Sequence, residues 1–336
     1  MDYRFLGRSG VKVSPLCLGT MMFGDRTDEA EAGRIVASAR DAGVNFIDTA
    51  DVYAKGESER IAGRLIKPDR ERWVLATKVA NPMGDDPNRR GTGRKWIMRA
   101  IDESLARLGT DYVDIYYLHR DIEETPLEET VDAMGDLIRA GKIRHFAVSN
   151  FRGWRIAELA NVCLALGIPR PAASQPYYNA MNRQPENDVL PACAHHGIGV
   201  VAYSPLARGV LTGKYVPGAK PAEGTRAGRN DKRILETEFR EESLAIAQKI
   251  KAHAAKRNMS AGHLAFNWVL ANPIVTSVIA GPRTLEQWSD YLAALGKKYE
   301  AGDEELFDSL VRPGHPSTPG FNDPAYPLRG RPAPAR

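Results

Sequence analysis

Short apolar runs recur along the chain at a nearly constant interval, and that interval constrains the fold more than any other feature. Runs rich in Val, Ile, Leu and Tyr begin near Leu16, Asn45, Trp73, Tyr112, His145, Ala173, Val200 and Val275. Successive starts lie 27 to 39 residues apart, except the last, which comes 75 residues after its predecessor. The runs do not alternate cleanly between polar and apolar residues, the pattern of parallel strands covered on both faces. The interval matches one strand–helix unit of about thirty residues. The intervening segments read as helices. Thr27-Asp28-Glu29-Ala30 opens one with cap and acidic residues, Gly43 closes it, and Ala32, Ile35, Val36 and Ala39 recur at helical spacing. Ile97, Ile101, Leu105 and Leu108 share one face of a second, over 94–108. Eight strands with helices between them predict an α/β fold, a (β/α)8 TIM barrel. A doubly wound sheet is the rival. It wants a glycine-rich phosphate turn after its first strand, which Gly19-Thr20-Met21-Met22-Phe23-Gly24 is not, and GxxxxGK[ST] is also missing.

Three segments depart from a plain barrel. Tyr3–Leu6 and Val11–Val13 flank Ser9-Gly10 and predict an N-terminal β-hairpin placed to plug the barrel's bottom. A polar, basic stretch between Leu211 and Glu238 predicts a long loop after strand 7, of the length used for lids and binding loops. From Arg312 the chain is rich in proline and short of apolar residues. We therefore divide it into one barrel domain over 1–311 and a Pro-rich tail over 312–336, its last part poorly ordered. A net charge of +4 over 336 residues does not argue for nucleic acid. No run of about eighteen apolar residues or secretory h-region is visible, so neither a membrane span nor export is expected. Three cysteines without metal or disulfide spacing fit a reducing cytoplasm.

In such a barrel, functional side chains sit at the C-terminal ends of strands and in the loops that follow. The second run ends in FIDTADVY, the third in ATK and the fourth in YLHR. Asp48, Tyr53, Lys78 and His119 thus converge on one rim. Each alone reads as a cap, a loop aromatic, a surface charge or a core histidine; their joint placement on three successive strands points to chemistry. An ammonium beside a phenol lowers its pKa, a carboxylate holds the ammonium, and an imidazole orients a carbonyl oxygen. The set suits protonation of a carbonyl oxygen while another group delivers electrons. At the eighth strand end, Arg283 beside a helix start suits a phosphate.

GRSGVKVSPLCLGTMMFG, FIDTADVY, LATKV, DESLARLGTDYVDIYYLHR with its terminal YLHR, GKIRHFAVSNF and VVAYSPLARGVLTGKY, in that order, resemble the signature segments of the aldo-keto reductases. The closest similarity is to bacterial members like the potassium-channel β subunits and aldehyde reductases. The resemblance covers all but about the last 40 residues and implies a catalytic tetrad of Asp48, Tyr53, Lys78 and His119, with NADPH as hydride donor and Tyr53 as proton donor to an aldehyde or ketone. It implies that Ser149, Asn150 and Gln175 grip the nicotinamide carboxamide and that Tyr203 stacks on its ring. Ser204, Leu206, Gly209 and Lys214 would hold the pyrophosphate, and Gly19, Thr20 and Met21 the ribose side. Gly281, Arg283, Gln287 and Asp290 would take the adenosine end, where Arg283 argues for NADPH over NADH; the family commonly has Asn where this chain has Asp290. The substrate pocket is expected from Met22, Phe23, Tyr53, His119, Arg120 and Tyr178, with Trp154 read equally as helix packing. Arg120 is read either as a contact for an anionic substrate or as a partner of Asp121 or Glu123.

His195-His196 lack a third ligand and predict no metal site. The basic cluster Arg226, Arg229, Lys232 and Arg233 lacks interleaved aromatics and reads as a solvated or phosphate-facing loop rather than a nucleic-acid surface. The expected partner is a small carbonyl compound; self-association stays open. Three other readings are kept: alcohol oxidation with NAD(P), a slow-turnover NADPH-binding redox-sensing subunit, and an aldolase with Lys78 as Schiff base.

Overall fold

The structure is a computed structural model that describes residues 1–327. Strands β1 (Arg4–Phe5) and β2 (Lys12–Val13) form an antiparallel hairpin. Eight parallel strands then close into a barrel: β3 (Leu16–Gly19), β4 (Phe46–Asp48), β5 (Val74–Val79), β6 (Val113–Leu118), β7 (Ile143–Ser149), β8 (Ala173–Gln175), β9 (Gly199–Ala202) and β10 (Val275–Ala280). Neighbours follow chain order, and β10 pairs with β3 to shut the ring. All eight lie where the apolar runs place them. Every residue of β3, β4, β8, β9 and β10 is buried, one face in the barrel and the other under helices, which explains the missing alternation.

The helices form as the pattern dictates. Asp28 caps Glu29–Asp41 by accepting the Glu31 N–H at 2.8 Å, and Ala32, Ile35, Val36 and Ala39 form its buried stripe. Arg94–Leu108 ends at Gly109, whose φ of 65° is the left-handed conformation that favours glycine. The hairpin contributes Leu6 and Val13 to an inner cluster with Cys17, Phe46, Ile115, Tyr117 and Val201, so it does plug the barrel interior. The 75-residue interval before β10 holds helices Lys232–Thr237, Glu241–Lys256 and Ala261–Ala271 as well as the long loop.

The boundary drawn after residue 311 does not end the packed structure. Asn187 donates to the Gly314 carbonyl at 2.6 Å, Arg240 to Thr318 at 2.7 Å, and Arg152 to the Tyr326 carbonyl at 2.8 Å. Arg233 pairs with Asp323 at 2.6 Å. Four barrel positions therefore tether a segment with little apolar content of its own. The poorly ordered end expected for this tail lies outside the described residues, at 328–336.

Helix Glu57–Ile66 packs on Arg94–Leu108 through Gly63, where a Cβ would lie 2.1 Å from the Leu108 carbonyl oxygen. Backbone cannot yield as a flexible side chain would. Gly63→Ala is expected to destabilise the fold by about 1–3 kcal/mol, read as a lower urea midpoint with unchanged m; an unshifted midpoint would show that the two helices separate freely.

Candidate active site

The four tetrad residues meet at the C-terminal rim of the barrel. Asp48 ends β4, Lys78 sits in β5, and His119 follows β6. Tyr53 opens a tight turn after β4 in which Ala54, Lys55 and Gly56 all have positive φ, folding the phenol back over the strand ends. Lys78 is fully buried, and its ammonium uses three acceptors: Asp48 Oδ1, the Thr49 carbonyl at 2.7 Å and the Tyr53 hydroxyl at 3.4 Å. The second Asp48 oxygen accepts from Gln175 Nε2 at 3.0 Å. Burial works against the ammonium, but the charge of Asp48 and the Tyr53 oxygen outweigh it and hold the Lys78 pKa above its ordinary value. Burial raises the Asp48 pKa, and Lys78, then Gln175, oppose that rise.

Two directions decide the chemistry. Burial raises the Tyr53 pKa by more than Lys78 lowers it, and Asp48 adds to the rise. The expected net lowering of the phenol is therefore corrected: burial outweighs the lysine, and Tyr53 keeps its proton at neutral pH. His119 meets Tyr53 edge-on at 5.8 Å between ring centroids. Burial, then Lys78 and Arg120, holds its pKa well below the usual range, so the imidazole is neutral. Its Nδ1 has no hydrogen-bond partner among the described residues.

Asp48, Tyr53 and His119 line a cavity of about 450 Å³. Of the residues expected at the cofactor, Gly19, Thr20, Met21, Asp48, Ser149, Asn150, Tyr203, Ser204, Leu206, Gly209, Lys214, Gly281, Arg283, Gln287 and Asp290 all line it. Gln175 does not; its amide is turned inward to Asp48. The Tyr203 hydroxyl donates to Asn150 Oδ1 at 2.8 Å, and the Asn150 amide donates to the His119 carbonyl at 2.9 Å. Gly209 has a φ of 99° and lets Lys214 Nζ pass where a Cβ would be 3.0 Å away. Burial, then Arg283, Arg226 and Arg229, lowers the Lys214 pKa, the mark of cations crowded around a place for an anion. Asp290 shares a hydrogen bond with His263 Nε2 at 2.7 Å, so its charge is engaged.

The substrate-pocket expectation needs correction. Phe23 is fully buried in the outer core and Met22 is also buried; the exposed Met21 faces the cavity instead. Tyr178 lies outside the barrel mouth, donating to Glu186 at 2.8 Å against Trp268, while its neighbour Tyr177 tilts on Tyr203 at 5.5 Å. Adjacent residues of extended chain face opposite ways, so a one-residue error moves a side chain to the wrong side. Trp154 is 57 % exposed and neither lines the cavity nor packs a core. Arg120 stands over the Tyr326 ring at 5.8 Å, and Asp121 pairs with Arg155 at 3.3 Å. Arg208, Arg226, Arg233 and Tyr326 also line the cavity. Arg226 and Arg233 belong to the basic cluster read as solvated or phosphate-facing; nothing in the sequence pointed to Tyr326. His195 and His196 stack edge-on at 4.8 Å, and no group of three metal-ligating side chains occurs among the described residues. No helix among them is long and apolar enough to cross a membrane.

A closed parallel barrel carrying a buried carboxylate–ammonium pair under a phenol, at the mouth of a cationic cleft, defines an oxidoreductase of the carbonyl-reducing class. The chain belongs to the aldo/keto reductase family, whose profile matches residues 15–312. It is 38% identical over 300 residues to a probable voltage-gated potassium channel subunit beta of Oryza sativa subsp. japonica, covering 88% of this chain and 91% of that one. The uncharacterized oxidoreductase YrpG of Bacillus subtilis is 38% identical over 306 residues, 88% and 91% of the two chains. The L-glyceraldehyde 3-phosphate reductase of Escherichia coli K12 is 32% identical over 304 residues, 88% of each.

Asp51, in the same turn, is buried with neither carboxylate oxygen partnered among the described residues, and burial, then Glu59, pushes it up to about 8. A carboxyl whose folded pKa is raised contributes stability below its unfolded value, near 4, and loses that contribution as pH rises through the folded one. Asp51→Asn should therefore be more stable than the parent at pH 9, by at least about 1 kcal/mol, with the gap closing toward pH 4. Parallel stability–pH curves for the two proteins would refute this.

Proposed function

We propose that the protein is an NADPH-dependent reductase of aldehydes and ketones, with Tyr53 as proton donor. The observation that carries this reading is the Lys78 ammonium held between Asp48 and the Tyr53 hydroxyl, at a cavity that is also lined by cations. The cavity fits the cofactor: Tyr203 offers an aromatic face, and Lys214, Arg226 and Arg283 offer phosphate contacts beside the N-terminus of helix Leu285–Leu295. When bound, reduced nicotinamide supplies hydride from its C4 to the carbonyl carbon. Tyr53 gives its proton to the carbonyl oxygen. A phenol with a raised pKa keeps that proton until the oxygen becomes basic, and the Lys78 ammonium then stabilises the phenolate left behind. Neutral His119, close against Tyr53, orients the carbonyl by hydrogen bonding. Asp48 and Gln175 fix the lysine so that no solvent reorganisation is needed.

The channel-subunit names among the relatives support a second reading, a slow-turnover cofactor-binding sensor. Retention of all four tetrad residues favours turnover. Alcohol oxidation runs through the same groups in reverse. We assign the protein to the cytoplasm, where its three free, buried cysteines would stay reduced.

Two variants test the assignment. Tyr53→Phe should lower carbonyl reduction, followed as NADPH absorbance, by about 10²-fold or more while NADPH still binds; near-normal turnover would remove Tyr53 as the acid. Arg283→Ala should weaken NADPH binding about tenfold more than NADH binding. Equal weakening would end the argument for a 2′-phosphate contact.

A further inference from the structure

The cations in and around the cavity form two overlapping sets. Lys214, Arg226 and Arg283, with Arg229 nearby, crowd together, and Arg208 acts on Arg226 from the second set. Four cations there match the pyrophosphate and 2′-phosphate of one dinucleotide. A second set surrounds Tyr326. Arg208 and Arg233 share its wall of the cavity, and Arg120 stands over its ring at 5.8 Å. Burial pushes the Tyr326 phenol up while Arg120, Arg233 and Arg208 pull it back. Tyr326, Arg208 and Arg233 share one cavity lining with Tyr53 and His119, and Arg120 follows His119 in the chain, so the second set lies toward the tetrad.

Its charge is only partly compensated. Arg233 is paired with Asp323 at 2.6 Å and Glu236 at 3.1 Å. Arg208 has no carboxylate at ion-pair distance among the described residues. Its Nε donates to Thr237 Oγ1 at 3.1 Å, and its guanidinium lies over Tyr177 at 5.7 Å. Arg120 Nε is buried without a hydrogen-bond partner among the described residues. A half-buried guanidinium that opens on a cavity with no counter-ion is a receptor for an anion, and its planar fork suits carboxylate or phosphate.

Building on the reductase reading, we propose that the substrate is an anionic carbonyl compound, an aldehyde or ketone bearing a carboxylate or phosphate. Arg208 and Arg120 hold its charged group beside Tyr326 while the carbonyl lies against Tyr53 and His119. Arg233, neutralised by Asp323, ties the C-terminal segment down so that Tyr326 closes this end of the cavity.

The test compares charged and uncharged partners with NADPH: 4-oxobutanoate against butanal, and glyceraldehyde 3-phosphate against glyceraldehyde. The intact protein should favour the charged member of at least one pair by about tenfold or more in kcat/KM, and added KCl should shrink the ratio. A preference confined to one pair assigns the site to carboxylate or to phosphate. Arg208→Gln should collapse the ratio by lowering the charged member far more than the neutral one, and Arg208→Lys should restore part of it. Arg120→Gln reads the same ratio if Arg208→Gln does not fold. Equal kcat/KM within both pairs would overturn the proposal and leave the reductase reading standing. So would an Arg208→Gln protein that weakens NADPH binding and slows both members alike, which would give Arg208 to the cofactor. If NADPH binds and no aldehyde of either charge is reduced, the reductase reading falls and takes this inference with it.

Discussion

A lysine side chain with no exposed surface governs this molecule. An isolated ammonium in a barrel interior would cost far more than a domain can supply, so Lys78 exists there only because three acceptors surround it. Those acceptors come from the end of β4 and the turn that follows, and the second oxygen of Asp48 is held by Gln175 from β8. The network therefore joins β4, β5 and β8, and a chain lacking any one of these strands loses it. Parallel closure places β4 beside β5 and brings β8 within reach, so the same hydrogen bonds that satisfy the buried charges also hold the Lys78 ammonium beside the Tyr53 hydroxyl. Stability and chemistry share one set of atoms at this point.

Charge is distributed around that centre in a consistent way. Within the tetrad, burial keeps Tyr53 protonated against the pull of Lys78 and, with Lys78 and Arg120, keeps His119 neutral. Beyond it the cavity is lined by arginines and Lys214 with few carboxylates, so the wall is electropositive toward whatever enters. The C-terminal segment completes the wall. It has little apolar surface to bury and is held instead by donors from the barrel, Arg152, Asn187, Arg233 and Arg240.

Much of this was legible along the chain. Strand positions followed from apolar runs, because a strand covered on both faces must be apolar throughout. Asp48, Lys78 and His119 followed from strand ends, because a barrel exposes only those ends. Tyr53 came with the turn after Asp48, and the phosphate-facing residues came with the resemblance to a known family. The less legible parts depended on direction in space. Met21, two residues before Phe23 in a turn, lines the cavity while Phe23 is buried, and Tyr178 points away from Tyr203 while its neighbour Tyr177 lies against it, since one step along an extended chain reverses a side chain. The Tyr53 pKa could not be read from composition, since it depends on how much of the lysine's field Asp48 removes and how dry the site is. Tyr326 comes from a proline-rich segment whose residues carry no periodic signal.

The amino-acid sequence alone determined the barrel and its hairpin plug and singled out the four candidate residues Asp48, Tyr53, Lys78 and His119, because hydrophobic period and strand-end chemistry are local properties that survive in one dimension. Tertiary structure alone decided which face of each loop looks inward, the neutral state of the phenol and imidazole, the inward turn of Gln175, and the meeting of Arg120, Arg208 and Arg233 around Tyr326. Those depend on distances between residues far apart in the chain, and only folding sets such distances.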